Sequence, residues 1–370
     1  MLLIFSRNVG LNTWNKFGNL SREIKIYNNL VEKNLFEEIF FFTFDSQDKK
    51  LAKRLKDENI LSNKIKVICP PIKIKIPIIK ELYDTIFFLL VFFKISEKIK
   101  FIKTNQIDGS YVAVLLKIIF QKKLYLRSGY NILKRDKSIK ANFIKKILNI
   151  LQFNFALKFS DQISVSNKFD KRFYSIIKKK KTNLIYNYVD EKKFCDFKEK
   201  RNGKFLYLGR ISNEKKIDEL VNLFNKHPNI KLDLYGNLQK NIKEISLKEV
   251  NKNIKFYDPI ANDEVPRLLN EYSFLILNSK FEGLSKVILE SLSCGIFCIV
   301  SDLIENKFLI KNEKNGIIFR NISSINLNEI IEKEKNLRGS YELFNQKLIE
   351  KNFTFKKYLD NEVNILKRLS

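Results

Sequence analysis

Two rhythms of apolar and polar residues alternate along the chain. Short apolar runs bounded by polar turns read as buried strands. In the first half they are Leu2–Phe5, Ile39–Phe44, Ile65–Cys69, Phe101–Thr104, Lys123–Leu126, Gln162–Val165 and Leu184–Tyr186. In the second half they are Phe205–Leu208, Leu232–Tyr235, Ile254–Tyr257, Phe274–Leu277 and Phe297–Val300. Between them lie stretches with helical spacing, such as Leu20–Asn34, which sets Ile24, Tyr27, Leu30 and Val31 on one face. Ile217–Asn225, Val265–Asn270 and Lys286–Leu292 read the same way. Strands alternating with helices predict an α/β fold with parallel sheets.

The pattern breaks once, in the polar stretch Asp190–Gly203, which closes on Asn202-Gly203. We therefore expect a domain over 1–190, a linker over 191–203 and a second domain over 204–350. A helical tail follows, and its last piece, Phe355–Leu369, begins after Thr354 as N-cap. Two such units imply a cleft, with ligands at the C-terminal ends of the strands. The longest apolar run, Ile86–Phe93, is far shorter than the roughly 20 residues that span a bilayer. It reads first as a buried helix and second as a membrane-surface helix, because lysines flank it. The short run Met1–Phe5 passes at once into Ser-Arg-Asn, so no signal peptide is expected.

Composition adds a charge problem. Against 41 Asp+Glu stand 69 Lys+Arg, a net +28, with lysine clusters at Lys140–Lys146 and Lys178–Lys181. Such a chain attracts polyanions: nucleic acid, anionic membrane or phosphate-bearing substrates. A codon bias toward Lys, Asn, Ile and Phe accounts for it equally well. No zinc-finger spacing, RNP-like strand or basic heptad pattern is present, so nucleic-acid binding stands only as an alternative and no nucleic-acid partner is expected. Cys69, Cys195, Cys294 and Cys298 lack zinc spacing and read as reduced thiols. The lone His227 sits before Pro228 in a polar turn and is assigned no role. Neither a Gly-x-Gly-x-x-Gly fingerprint nor a P-loop occurs.

Chemistry concentrates in two segments. Asn278–Glu290 follows a strand, turns at Gly283 and enters a helix, a junction that turns backbone N–H groups toward an anion. Glu282 and Glu290 are placed a little over two turns apart on that helix face, where carboxylates accept from ligand hydroxyls. A favourable acid at a helix start plus a solvated glutamate is the plainer reading of that segment alone. The strand Phe205–Leu208 ends in Gly209-Arg210, with Lys215 in the next turn, a fork and a point charge suited to a diphosphate.

Together these residues resemble the family 4 retaining glycosyltransferases. The resemblance covers Gly209, Arg210, Glu214 and Lys215, the Glu-x7-Glu pair Glu282 and Glu290, and Glu290-Ser291-Leu292-Ser293-Cys294-Gly295. It continues through Ser301-Asp302 to Asn315-Gly316, with Tyr186-Asn187-Tyr188-Val189-Asp190 and Phe194 upstream. It implies two Rossmann-like domains facing across a cleft, the GT-B fold, with the C-terminal helix over 351–370 crossing back onto the first domain. It implies a sugar moved from a nucleotide-sugar donor, with retention of configuration, to a glycan, lipid-linked or lipopolysaccharide acceptor. Arg210 and Lys215 are then the diphosphate ligands and Glu282 the sugar contact. The backbone of Gly283, Leu284 and Ser285 holds sugar and phosphate, Glu290 the ribose, and Gly18 belongs to the first domain's phosphate-side loop. GT-B members need no metal, so neither metal nor cofactor is expected. The histidine that many members carry in the first domain has no counterpart; Arg127 or Tyr130 is the acceptor-side candidate instead. A sugar-nucleotide epimerase of the same fold is a third reading, which the single His227 makes awkward. The implied place is the cytoplasm, peripheral on the inner face of the cell membrane.

Overall fold

A computed structural model describes residues 1–138, 142–178, 182–196, 203–238 and 250–369. The stretches Lys140–Lys146, Lys178–Lys181 and 191–203 therefore lie partly outside the described residues. The chain divides into two compact units, Met1–Ile185 with Leu359–Ser370, and Tyr186–Tyr358.

The first unit opens with β1 (Leu2–Ile4), α1 (Leu11–Lys16), α2 (Leu20–Glu32), β2 (Ile39–Phe42) and α3 (Asp48–Asp57). Next come β3 (Ile65–Ile68), α4 (Pro77–Ile95), β4 (Phe101–Thr104), α5 (Ser110–Phe120) and β5 (Lys123–Ser128). It continues with α6 (Ile132–Ser138), α7 (Phe143–Phe159), β6 (Gln162–Val165), α8 (Lys168–Lys178) and β7 (Thr182–Leu184). All strand pairs are parallel, in the order β3-β2-β1-β4-β5-β6-β7. These strands are apolar runs rather than alternating ones because helices cover a parallel sheet.

The second unit runs β8 (Phe205–Leu208), α9 (Ile217–Asn225), β9 (Leu232–Tyr235), β10 (Ile254–Tyr257), α10 (Val265–Glu271) and β11 (Phe274–Leu277). After these come α11 (Lys286–Ser293), β12 (Phe297–Ser301), α12 (Ile304–Leu309), β13 (Gly316–Phe319) and α13 (Leu327–Asn352). Its sheet is again parallel, ordered β10-β9-β8-β11-β12-β13, and β8 lies beside β11 with Phe205 opposite Phe274. Stacked Phe205 and Phe274 rings, 4.4 Å apart, sit in its core. Two parallel-sheet α/β domains are thus the architecture that the alternating pattern predicts.

The last helix, α14 (Phe355–Leu369), changes unit at Leu359. Its Glu362 enters the first unit's core and pairs with Lys103 of β4; the two side chains are 0% and 1% exposed. The Lys103 ammonium lies over the Tyr27 and Tyr125 rings, at 5.1 and 5.5 Å, and the Tyr125 hydroxyl donates to Glu362 Oε2 at 3.0 Å. Burial pulls Lys103 below the ordinary lysine pKa, and the Glu362 carboxylate opposes that shift.

Three local expectations change. The strand expected over Leu184–Tyr186 is β7, Thr182–Leu184, because Tyr186 leaves the sheet to stack on Phe308 at 5.2 Å. β13 is an additional strand that the pattern of apolar runs does not announce. The run Ile86–Phe93, expected first as a buried helix, is buried on one face of α4 only: Phe88 and Phe92 face the core, while Ile86, Leu90 and Phe93 are exposed.

Candidate active site

In open parallel sheets, ligands settle at the strand ends where the order reverses. In the second unit that place lies between β8 and β11. The loops leaving these two strands carry the two chemistry-bearing segments, Gly209–Lys215 and Asn278–Glu290.

At the end of β8, Gly209 adopts φ +154°, and after β9, Gly236 adopts φ +158°. A Cβ on Gly236 would stand 1.7 Å from the Gly209 carbonyl oxygen. Two strand-end glycines therefore let two loops meet backbone to backbone. Hydrogen bonds from Gly209 N to Tyr235 O (3.0 Å) and from Ile211 N to Asn237 O (3.1 Å) hold them. Beneath, the buried Tyr207 hydroxyl donates to the Arg210 carbonyl at 2.6 Å. Burial, and secondly the nearby Glu282 carboxylate, keep that phenol protonated by raising its pKa.

The Arg210 side chain is half exposed and lies 3.5 Å from Glu214. Lys215 turns inward instead. Its ammonium pairs with Glu282 and donates to Ser279 Oγ at 3.3 Å, while Ser279 Oγ donates to Glu282 Oε1 at 2.7 Å. A backbone bond from Lys280 N to Glu214 O, 2.8 Å, ties the two loops together beside this knot. Ser279 is in turn bracketed by Ser301, which accepts from its N–H at 3.2 Å and donates to its carbonyl at 3.1 Å.

Glu282 does not stand on the helix. α11 begins at Lys286, so Ser279 and Lys215 orient this carboxylate, not the helix face that the eight-residue spacing suggests. Glu290 does lie in α11 and is buried. Gly283 is partly exposed, and Leu284 is buried, its carbonyl accepting from Asn187 Nδ2 at 2.6 Å. Ser285 occupies the N-cap position of α11 in extended conformation, and its side chain makes no cap bond to the first turn. Gly18, Arg127 and Tyr130 belong to the first unit. Gly18 makes the left-handed turn between α1 and α2, Arg127 lies buried on β5, and the Tyr130 hydroxyl accepts from Arg135 Nη1 at 3.2 Å.

Sequence reasoning missed Ser279, Asn187 and Gly236 as parts of the site. Ser279 and Asn187 lay within the motif segments without being assigned a role, and Gly236 left the signal of a glycine closing an apolar strand. Among the described residues, no three His, Cys, Asp or Glu side chains converge as a metal site would require.

Residues 189–364 match the family model described as glycosyl transferases group 1. The chain is 28% identical over 262 residues to the O-antigen biosynthesis glycosyltransferase WbnH of Escherichia coli, covering 66% of this chain and 73% of that one. It is 23% identical over 216 residues to the O-antigen biosynthesis glycosyltransferase WclY of Escherichia coli, covering 55% of this chain and 61% of WclY. The chain thus spans less than two thirds of WclY's length. In structure it is similar to Anabaena Alr3699/HepE in complex with UDP-glucose, with a TM-score of 0.75, 15% identity and full coverage of both chains. That likeness shows the GT-B fold. The match to the group 1 model and the glycosyltransferase relatives support a transferase enzyme.

Proposed function

We propose that the chain is a family 4, retaining glycosyltransferase that moves a sugar from a nucleoside-diphosphate sugar to a glycan, lipid-linked or lipopolysaccharide acceptor. The observation that carries this reading is the knot of Lys215, Ser279 and Glu282 at the reversal point of the second sheet, beside exposed Arg210. It sets two cations and one carboxylate where a diphosphate and its sugar would lie side by side. HepE was solved with UDP-glucose, and WbnH and WclY serve O-antigen biosynthesis, which supports the donor type and a glycan acceptor.

On this reading Arg210 and Lys215 bind the diphosphate, and Lys215 exchanges part of its hold on Glu282 for a phosphate oxygen. Glu282, so released, accepts from a sugar hydroxyl. The N–H groups of Gly283, Leu284 and Ser285 hold sugar and phosphate, and Glu290 the ribose. The bond from the anomeric carbon to the diphosphate breaks, and the acceptor hydroxyl attacks the same face. Its proton passes to the departing phosphate oxygen, so configuration is retained and charge balances. Two fixed cations stabilise the negative charge that develops on the leaving group, the largest electrostatic change in the step. No resident metal is assigned. The strongly basic chain meets the anionic inner membrane surface reversibly, through charge.

A thermal-shift screen of UDP, GDP, ADP and CMP tests the donor site, since a ligand bound only by the folded chain raises its melting temperature. Stabilisation by one nucleoside diphosphate is expected. No stabilisation by any of them would overturn the reading.

A further inference from the structure

The exposed apolar residues of the first unit are not scattered. On α4, Ile79, Leu82, Ile86, Leu90 and Phe93 recur at helical spacing and form one open stripe, with Leu82, Leu90 and Phe93 exposed by 62%, 64% and 74%. The opposite side of the same helix buries Phe88 and Phe92, so α4 is apolar nearly all round. On α7, Ile144, Ile147, Leu148, Leu151 and Phe155 form a second open stripe, opposite buried Phe153 and Leu157. α5 packs against both helices and adds exposed Ile118 and Ile119 between them. Soluble monomers rarely leave so much apolar surface together unless something covers it.

The charges around these stripes identify the cover. Lys73, Lys75 and Lys94 are exposed beside the α4 stripe, and Lys145 and Lys158 beside that of α7. α7 contains no acidic residue. The two acids of α4 are already engaged, Glu81 by Arg7 and Asp84 by Lys80. A second copy of the chain, meeting this face through a two-fold axis, would set like lysines against like. An anionic phospholipid surface complements both features, taking apolar side chains at the acyl boundary and lysines at the headgroups. Among the described residues no helix is long and apolar enough to cross a membrane, so the contact lies in the interface.

We propose that the outer faces of α4 and α7 insert into the headgroup–acyl boundary of an anionic phospholipid bilayer. This rests on the membrane contact in the functional reading above and changes its nature, since adsorption through charge alone is lost in salt whereas inserted side chains are not.

Co-sedimentation with phosphatidylcholine/phosphatidylglycerol vesicles at low and high salt separates these cases. The whole chain is expected to bind at low salt and to keep a bound fraction at high salt. Complete release at high salt would overturn insertion while leaving charge-driven contact standing; no binding at low salt would overturn both. The triple variants Leu82→Ser/Leu90→Ser/Phe93→Ser and Ile144→Ser/Leu148→Ser/Leu151→Ser should each bind at least about tenfold more weakly, with unchanged melting temperature. Undiminished binding in both would overturn the proposal. Should a triple variant fold poorly, Leu90→Trp supplies a second readout, because the chain's one tryptophan, Trp14, is buried. Its emission should shift to the blue on anionic vesicles, and an unshifted spectrum would overturn the assignment. Self-association without lipid, abolished by the same substitutions, would assign the face to a second copy instead.

Discussion

Lys215 and Glu282, 67 residues apart, form an ion pair in which Ser279 is the third partner. The side chains are only 15% and 13% exposed, so neither charge is simply solvated. Each is held where it is by the other.

The first prediction concerns the cations. Arg210→Ala and Lys215→Ala should each weaken nucleoside-diphosphate binding by about 1.5–3 kcal/mol, one charge-assisted hydrogen bond. Titration calorimetry on the purified variants measures this. Wild-type affinity in both would remove the diphosphate from this place.

The two glutamates should separate kinetically. Glu282→Gln is expected to lower kcat about tenfold or more, because a contact to the transferred sugar changes as its bond breaks. The same variant should bind the bare nucleoside diphosphate at least as well as wild type, since its Lys215 is released from a carboxylate. Glu290→Gln should mainly raise the donor KM, by roughly the factor of one charge-assisted hydrogen bond. Wild-type kinetics in both would place the donor elsewhere.

Glycine substitutions should act in opposite directions. Gly236→Ala puts a methyl group 1.7 Å from the Gly209 carbonyl, so it should cost roughly 2 kcal/mol or more and weaken donor binding with it. Gly339 lies within α13, where an added methyl group would meet nothing within 4 Å, and Gly339→Ala should stabilise by about 0.5–1 kcal/mol. Chemical denaturation of both variants checks the signs.

Asp48 gives a pH dependence. Its carboxylate accepts from Leu11 N, Asn12 N and Asn12 Nδ2, each at 2.9 Å, at the start of α1. Burial nevertheless raises its pKa above the ordinary 3.8, the backbone bonds opposing. The native state therefore holds this proton more tightly than the unfolded chain. The resulting stability is complete below the unfolded value and lost as pH rises through the folded one. Relative to Asp48→Asn, the wild-type melting temperature should fall as pH rises from the ordinary aspartate range toward neutrality. A constant difference across that range would show that the hydrogen bonds outweigh burial.

Much of the fold was legible because its strands are plain apolar runs. Phe205–Leu208, Leu232–Tyr235, Ile254–Tyr257 and Phe274–Leu277 begin and end where the pattern places them. β13 escaped because Gly316 opens it and its short Ile-Ile-Phe run resembles any buried turn. The open face of α4 was legible only as the second of two readings, because periodicity reports that a residue is apolar, not whether another element covers it. At the candidate site, the Gly209–Lys215 and Asn278–Glu290 segments were legible as separate motifs. That Lys215 reaches Ser279 and Glu282 follows from the neighbouring of β8 and β11, a pairing that local sequence does not carry.

The burial of Glu362 against Lys103 also sets an order of events during synthesis. A ribosome delivers Lys103 and the whole seven-stranded sheet long before it delivers Glu362. Until Glu362 arrives, Lys103 lacks its counter-charge, and in the finished fold the loss of one partner of such a buried pair costs about 3–5 kcal/mol. The first unit thus reaches its final stability only once Glu362 has been made, after the strands of the second unit, although its own sheet is made first.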